Sequence, residues 1–321
     1  MENLTIKFET ITPLFTGDEE GRCLEIKPSS IIGSIRFWFE IYCHFAGIEV
    51  KEKEELKDKD YQKILKKLKE DINNDNIDKY IFDELPLTLS SKIFGCTGWK
   101  SRIEIESIKY LNDDYFGNKL NLSDRIISNK RWFFVKSYFF GKFEIIFKTT
   151  QEIRDNILLP LLNFIQKYGF LGAKNNIGYG RVRVLNPNVS SYDVIKTSKF
   201  GEKDISLNKI FEEKELSQNL NRLSFKKIEI FKTNFNNNDL KIVIKNLLVE
   251  KSKLRKKESN KYTRHYKFGS IAKDIYKNKK YNIEIKGPNA TKIIPLISKE
   301  NDKYIGKFLS IWGIQNFGVR K

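Results

Sequence analysis

The chain has 321 residues and is strongly basic, with a formal net charge of +18 and an isoelectric point of about 9.5. Hydrophobic residues make up 40% of the chain and aromatic residues 13%, which excludes a disordered basic tail and leaves room for two domains. The excess of positive charge predicts a polyanionic partner, most simply a nucleic acid.

The cysteine and histidine content and the hydropathy pattern restrict the class of protein further. The three cysteines, Cys23, Cys43 and Cys96, lie far apart without metal-ligand spacing, so we expect reduced thiols. The two histidines, His44 and His265, are too few for a histidine-rich metal site, and the sequence predicts no cofactor. The N-terminus lacks a signal-peptide core and no apolar run has membrane-spanning length. We therefore expect a cytoplasmic protein that does not associate with a membrane.

Hydrophobic periodicity predicts strands and helices in alternation along the first half of the chain. A helix is predicted to open at Thr149, which has capping-box spacing to Glu152. The order strand, helix, strand, strand, helix, strand is typical of the ferredoxin-like, or split βαβ, fold: an antiparallel sheet with helices on one face. The predicted elements are, in chain order, a strand over 4–11, a helix over 31–45, strands over 103–108 and within 131–149, the helix opening at Thr149, and a strand over 181–185.

The rest of the chain has a weaker pattern. The charge-rich segment 51–70 is typical of a solvated helix with ion pairs on its surface. Residues 186–221 are predicted to form a weakly structured linker. A second unit is predicted from an alternating strand over 226–232 to the apolar segment 308–312.

The segment 169–184 combines glycines with cations and contains no acidic residue. Its order of helix, glycines and strand excludes a dinucleotide-binding fingerprint, in which a strand comes first. Glycines permit positive φ and close backbone approach, so exposed N–H groups can hold an anion while the cations supply charge. A long glycine-rich surface turn is the alternative. The candidate phosphate-binding residues are Gly169, Gly172, Lys174, Gly178, Gly180, Arg181 and Arg183.

Positive charge is concentrated between residues 251 and 280, where twelve Lys or Arg residues stand against two acidic ones. Cations alternate with aromatic residues in 261–268, a composition that suits phosphate contacts together with base stacking. The alternative is a basic, solvated helix without a dedicated ligand. The candidate RNA-binding residues are Lys261, Arg264, His265 and Lys267.

Signals for catalysis are few. His265 lies among cations and could act as a general base in RNA cleavage, although a further nucleic-acid contact is the simpler interpretation. The acidic residues Asp18, Glu19 and Glu20 could hold a metal ion, but three consecutive acids in a loop are usually only solvated. Phosphate-binding Gly-Lys-Ser/Thr and nucleophile-elbow motifs are lacking.

Four motifs together resemble a known family. They are Ile11-Thr12-Pro13-Leu14-Phe15-Thr16-Gly17, Pro28-Ser29-Ser30-Ile31-Ile32-Gly33-Ser34-Ile35-Arg36-Phe37-Trp38, Ile93-Phe94-Gly95-Cys96-Thr97-Gly98-Trp99-Lys100-Ser101-Arg102, and the glycine-rich 169–180. In this order the series resembles the RAMP superfamily of CRISPR-associated RNA-binding proteins. It is most similar to the first-subunit family of the Cmr, or type III-B, effector complex. The resemblance covers about residues 4–185.

The resemblance implies an α+β fold with two ferredoxin-like domains. The first would span 1–190, with a helical insertion at about 48–90, and the second, more degenerate and basic, would span 191–321. Carried over by position, Gly33 and Arg36 would face RNA at a helix end. Trp99, Lys100 and Arg102 would lie in a second RNA-facing loop, and Lys174 and Arg181 in the glycine loop. Relatives often have more arginines in that loop, so the basic segment 251–280 is expected to contribute more here.

The resemblance also implies a function. The chain would be a non-catalytic, RNA-binding subunit of a type III-B CRISPR interference complex, holding guide and target RNA near the 3′ end of the guide and contacting other Cmr subunits. Two alternatives stay open. One is a metal-independent endoribonuclease that processes guide RNA through His265. The other is an assembly subunit whose basic faces mainly bind partner proteins.

Overall fold

A computed structural model describes residues 1–18, 20–51, 53–71, 77–111, 115–122, 134–216, 223–270, 275–278, 283–286 and 290–314. The first half contains β1 (Glu2–Thr10), α1 (Pro28–Ala46), α2 (Asp58–Asp71), α3 (Ile77–Glu84), α4 (Leu89–Phe94), β2 (Glu104–Tyr110), β3 (Phe116–Gly117), β4 (Tyr138–Phe139), β5 (Lys142–Thr149), α5 (Gln151–Ile153), α6 (Leu159–Tyr168) and β6 (Val182–Asn186). The second half contains β7 (Val194–Ile195), β8 (Ile205–Ser206), β9 (Phe211–Glu215), β10 (Ile228–Asn237), α7 (Leu240–Lys257), α8 (Lys261–Phe268), β11 (Ile275–Asn278), β12 (Ile283–Lys286), β13 (Ile293–Glu300) and β14 (Lys303–Ser310).

Four strands of the first half form an antiparallel sheet in the order β2-β5-β1-β6. Counted along the chain, these are the second, third, first and fourth strands of the sheet, and α1 and α6 connect them as in a ferredoxin-like fold. Alternate residues of β1 and β5 are buried, and the opposed rings of Phe8 and Phe143 stack 5.2 Å apart. The predicted split βαβ unit is confirmed.

The helix after β5 begins one residue later than predicted. Its N-cap is Thr150, whose Oγ1 accepts a hydrogen bond from the N–H of Ile153 at 3.4 Å. Thr149 instead ends β5 and is buried. A π-helical turn then precedes Pro160, with the N–H of Leu159 bonded to the carbonyl of Arg154. A proline cannot donate a backbone hydrogen bond, and a wider turn is one way in which a helix accommodates it.

The second sheet has the order β13-β14-β10-β9. Its members β10, β14 and β13 are antiparallel neighbours, and with α7 they repeat the strand, helix, strand, strand part of the first unit. The edge position beside β10 is filled by β9, which precedes β10 in the chain and runs parallel to it. The fold is α+β, built on antiparallel pairing, and the second unit is the more degenerate one.

The described residues 186–216 are more ordered than the linker predicted over 186–221. The short strands β7 and β8 pair with each other and pack on α1, where the Tyr42 hydroxyl lies 3.2 Å from the carbonyl oxygens of Ile195 and Ile205. One cluster of buried side chains includes Ile6 of the first sheet and Ile230 of the second. The domain boundary near residue 190 therefore remains a prediction.

The helical insertion expected at about 48–90 contains α2, α3 and the start of α4. A small apolar cluster packs Ile64 of α2 against Leu56, which precedes this helix, and against Leu85 and Leu87, which follow α3. Within the described parts of the chain, no helix has the length and apolarity needed to cross a membrane.

Candidate nucleic-acid interface

Helix α1 holds the glycine loop, which we define as residues 169–181. The Ser34 hydroxyl accepts a hydrogen bond from the N–H of Gly172 at 2.8 Å. The Trp38 indole N–H donates to the carbonyl of Phe170 at 2.9 Å. Two of the motifs that carry the family resemblance, more than 130 residues apart in sequence, are therefore parts of one structure.

The glycines of this loop are needed for close packing. Gly172 and Gly180 have φ angles of +72° and +89°, and a Cβ at these positions would lie 2.5 Å from the Phe15 oxygen and 2.1 Å from the Leu171 oxygen. Gly178, with φ of +90°, lies against Pro295 of β13, and Gly169 lies against Ile165 of α6.

Most backbone N–H groups of the loop bond inside the protein. Gly180 donates to Pro13 at 2.7 Å, Ala173 to Phe15 at 2.8 Å and Leu171 to Gly180 at 2.8 Å. The N–H groups of Gly172 and Arg181 bond to hydroxyl oxygens of the protein. The loop does not offer these N–H groups to a ligand, so the predicted anion cradle is restricted to its tip at 174–176.

Arg181 is 1% exposed and occupies the interior. Its guanidinium donates to carbonyl oxygens at the C-terminal end of α6, where the helix dipole favours a cation, and to Ile297 of β13 at 3.0 Å. Burial lowers the pKa of Arg181 to about 9. The predicted phosphate contact is therefore wrong for Arg181, which joins the two sheets. The α6 acceptors are Ile165 at 2.9 Å, Gln166 at 2.7 Å, Lys167 at 3.0 Å and Gly169.

Lys174 and Arg183 lie nearer the surface. Lys174 is half-buried in a left-handed turn with φ of 65°, and burial lowers its pKa. Arg183 is exposed; its Nη2 donates to the Lys299 carbonyl at 2.9 Å and its Nη1 lies 3.8 Å from the Glu9 carboxylate.

At Gly33 the backbone of α1 is accessible from the surface of the protein. This glycine is exposed, and a Cβ there would meet nothing within 4 Å. Because α1 begins at Pro28, Gly33 lies in the second turn, one turn later than a start at Ile31 would place it. Arg36 is engaged within the protein: its Nε donates to Glu40 at 2.8 Å and its Nη1 to the Gly95 carbonyl at 2.8 Å.

The second loop predicted to face RNA, which contains Trp99, Lys100 and Arg102, lies beside α2. The Trp99 indole N–H donates to the Lys92 carbonyl at 2.9 Å, and the Arg102 guanidinium lies 5.0 Å from the Trp99 ring centroid. Lys100 is exposed and forms a 2.8 Å ion pair with Glu104. These residues border a cavity of about 520 Å³.

The basic segment 251–280 divides between surface and interior. Lys267 is 1% exposed and its Nζ lies 2.7 Å from the Glu258 carboxylate, so the predicted RNA contact at Lys267 is wrong. Arg264 and His265 are half-buried. The part of the segment after 270 has no described side chains. We define the basic surface as Lys256, Lys257, Lys261 and Arg264, at the end of α7 and on α8.

Lys251 of α7 holds the tip of the glycine loop. Its Nζ donates to the carbonyl of Asn176, at the loop tip, at 2.9 Å. The side chain is 4% exposed, and burial, with a smaller effect of Arg255, lowers the pKa of Lys251 to about 7. The sequence carries no signal for this contact, which spans 75 residues.

Nothing in the described residues supports a metal site. No group of three or more His, Cys, Asp or Glu side chains in these residues could hold a metal ion. Asp18 is paired with Arg22 at 3.3 Å, and Glu20 with the same arginine at 2.8 Å, while Glu19 lies outside the described residues. His44 is exposed, and its Nε2 lies 3.1 Å from the Gly313 carbonyl oxygen.

The fold and the surface define an α+β protein with a ferredoxin-like first unit and a glycine loop beside exposed cations. The RAMP superfamily model matches residues 7–183, more than half of the chain, and the chain belongs to this superfamily. No curated protein matches the chain significantly.

Two solved structures resemble the chain. The crystal structure of Cmr1 from Pyrococcus furiosus in its apo form is 13% identical, with a TM-score of 0.47 and coverage of 99% of this chain and 89% of that one. The cryo-EM structure of the type III-B Cmr-beta complex, bound to cognate target RNA and AMPPnP in the presence of ssDNA, is 13% identical, with a TM-score of 0.44 and coverage of 95% and 94%. At these TM-scores neither likeness carries an argument.

Proposed function

We propose that the chain is a non-catalytic, RNA-binding subunit of a type III-B CRISPR effector complex, with guide and target RNA and other Cmr subunits as its partners. Membership in the RAMP superfamily and the resemblance of its motifs to the Cmr first-subunit family support the class. The bond between Lys251 and Asn176 supports the proposed site, because it holds the glycine-loop tip on α7, the helix that ends in Lys256 and Lys257.

RNA would contact both the glycine-loop tip and the basic surface. The open helix face at Gly33 and the loop tip at Lys174 would approach the backbone closely. Lys256, Lys257 and Lys261 would neutralise phosphates, and Arg183 would extend the contact along β6. Contacts to phosphates carry no sequence information, so binding through this surface is expected to be sensitive to salt and nearly independent of sequence.

A filter-binding titration of end-labelled single-stranded RNA at several salt concentrations tests the proposal. For single strands each phosphate contact contributes about 0.7 to the slope of log K against log salt. Replacing Lys256, Lys257 and Lys261 together by Ala should flatten the slope by about 2. The matched control replaces the equally exposed Lys196, Lys199 and Lys203 and should leave the slope unchanged.

Other outcomes would change the assignment. If the salt slopes of the two triple variants were equal, the basic surface would not be the site that binds RNA. If the Lys256, Lys257 and Lys261 variant lost complex assembly but kept its RNA affinity, the surface would be a protein-binding face.

Each sample is also run on a denaturing gel with EDTA, to test for RNA cleavage. Defined RNA fragments that form in wild type and disappear in His265→Ala would identify the endoribonuclease instead.

A further inference from the structure

A cleft lies between β6, an edge strand of the first sheet, and the strands of the second sheet. Its volume is about 340 Å³, at the lower end of the range for small-ligand sites. We call it the β6–β13 cleft. The apolar part of its lining includes the buried side chains of Val182, Ile230 and Leu296.

The second sheet separates this cleft from the basic surface. Leu296 of β13 and Lys307 of β14 are directly paired, and both line the cleft. Successive side chains of a strand point to opposite faces of the sheet. The next residues, Ile297 and Phe308, belong to the cluster of buried side chains that includes Leu247 of α7. The cleft therefore lies on the face of the second sheet opposite α7, the helix that ends in the basic surface.

Most charged side chains that line the cleft already have a partner. Arg181 is bonded to carbonyl oxygens. These contacts leave the lining close to neutral, so the cleft does not suit a polyanion such as an RNA backbone. The ion pairs are Lys167 with Asp193 at 3.3 Å, Arg183 with Glu9 at 3.8 Å, Lys299 with Asp302 at 3.7 Å and Glu213 with Lys232 at 3.0 Å.

Two polar groups of the lining differ from this pattern. Lys307 is half-buried, and its Nζ has neither an ion pair nor a hydrogen bond within the part of the chain that the structure describes. The Oγ of Ser298 is buried and likewise has no hydrogen-bond partner among the described residues. Ser298 lies two positions after Leu296, the partner of Lys307, so the two groups are diagonal neighbours on one face of the sheet. A buried polar group without a partner is rare and is explained by a missing ion, water or ligand.

A carboxylate supplies what these two groups lack. It carries a single negative charge for the Lys307 ammonium and an acceptor oxygen for the Ser298 hydroxyl. A doubly charged phosphate would bring its second charge towards Glu213 and Glu300, which also line the cleft. The apolar part of the lining suits a short chain of methylene groups that carries the carboxylate.

We propose that the β6–β13 cleft binds a single carboxylate on a short apolar stem, with Lys307 as its counter-ion. An Asp or Glu side chain of another protein and a free aliphatic acid share this chemistry, and the experiments below separate the two sources. The inference goes beyond the proposed function, because it requires no RNA and uses the opposite face of the second sheet from the basic surface.

Calorimetric titration of the full chain tests the site with two matched probes. Glutarate carries carboxylates on a short apolar stem, and glutaramide has a similar shape without charge. Wild type should bind glutarate but not glutaramide. Lys307→Met should bind glutarate about 10- to 150-fold more weakly, and Ser298→Ala about 2- to 10-fold more weakly, as expected for a charged and a neutral hydrogen bond. The matched control is Lys303→Met, at an exposed position of the same strand, which should bind as wild type does.

Urea unfolding separates a ligand-binding role of Lys307 from a structural one. In the free chain Lys307 and Ser298 have no described partner to lose, so Lys307→Met and Ser298→Ala should leave the urea midpoint unchanged or raise it. Glutarate should raise the midpoint of wild type but not that of Lys307→Met. A lower midpoint of Lys307→Met with unchanged glutarate binding would make Lys307 a structural residue and overturn the inference.

Binding of the purified remaining Cmr subunits, followed by fluorescence anisotropy of the labelled full chain, separates the two sources. If Lys307→Met weakens this binding by about 10- to 150-fold and Lys303→Met does not, the carboxylate belongs to a side chain of another subunit. If Lys307→Met weakens glutarate binding alone, the ligand is a free carboxylate. The absence of any effect of Lys307→Met on either ligand would overturn the inference, as would binding of inorganic phosphate as tight as that of glutarate.

RNA binding is measured separately, so that this inference and the proposed function can fail independently. Lys307→Met should keep the RNA affinity and the salt slope of wild type, whatever the result for the basic surface. A smaller salt slope in Lys307→Met would assign the cleft to RNA and overturn the inference.

Discussion

Replacement of Arg181 should destabilise the protein without acting directly on RNA binding. The guanidinium reaches four carbonyls near the end of α6 and one on β13. A methionine keeps much of the volume but removes every donor. The buried carbonyls of Gly169 and Ile297 would then lose this donor, as would the partly buried ones of Gln166 and Lys167, while Ile165 would keep the bond from the Gly169 N–H.

The expected loss is large because the site is fully buried. Leaving one buried acceptor without its donor costs about 1–3 kcal/mol, so the loss of several such bonds would be a substantial part of the roughly 5–15 kcal/mol that stabilises an ordinary domain. Arg181→Lys keeps a cation with three donors, so it should lose about half as much. Arg183→Met is the matched control: Arg183 is exposed, and its contacts with Glu9 and Lys299 should contribute about 1 kcal/mol or less.

Urea unfolding followed by circular dichroism measures these differences, and filter binding on the folded fraction measures the salt slope. Arg181→Lys should have a lower urea midpoint and a wild-type slope, whereas Arg183→Met should have a near-wild-type midpoint. If Arg181→Lys or Arg181→Met kept its urea midpoint and flattened the slope instead, Arg181 would be a phosphate contact, and its role in joining the two sheets would be refuted.

Further predictions concern buried polar groups. Because the pKa of Lys251 is about 7 in the folded chain and near 10.5 when unfolded, the unfolded state binds more protons between these values. Stability should therefore rise with pH across this window, by about 1 kcal/mol from pH 7 to pH 8, and Lys251→Met should remove that increment in urea titrations. The buried Tyr179 hydroxyl has no hydrogen-bond partner among the described residues. Tyr179→Phe should leave the Tm unchanged or raise it. Tyr138→Phe, which loses the bond accepted from the Leu120 N–H, should destabilise the chain by about 1 kcal/mol.

The first sheet could be predicted because its signals are local. Alternation in β1 and β5 and the amphipathic pattern of α1 each identify an element, and their order identifies the ferredoxin-like topology. The packing of residues 186–216 had no such local signal. It depends on the Tyr42 hydroxyl, which contacts residues 153 and 163 positions away. The parallel pairing of β9 with β10 is likewise decided by tertiary packing.

The two arginines after the glycine loop show why the site was harder to predict than the fold. In a strand, residues i and i+2 face the same side, so Arg181 and Arg183 were expected to act together. The strand β6 begins only at Val182, so the alternation does not extend to Arg181. The backbone at Gly180 turns with φ of +89° and directs the chain so that one arginine is buried and the other exposed.

Burial also changes what the net charge implies for RNA affinity. The segment 251–280 contains twelve cations, but Lys267 is neutralised by Glu258, and Lys251, with a pKa of about 7, is only partly protonated at neutral pH. Neither side chain can approach a phosphate, because both are buried. Counterion release counts only cations that reach the nucleic acid. The salt slope should therefore follow the four residues of the basic surface, together with Lys174 and Arg183, and fall well below the value that a formal charge of +18 suggests.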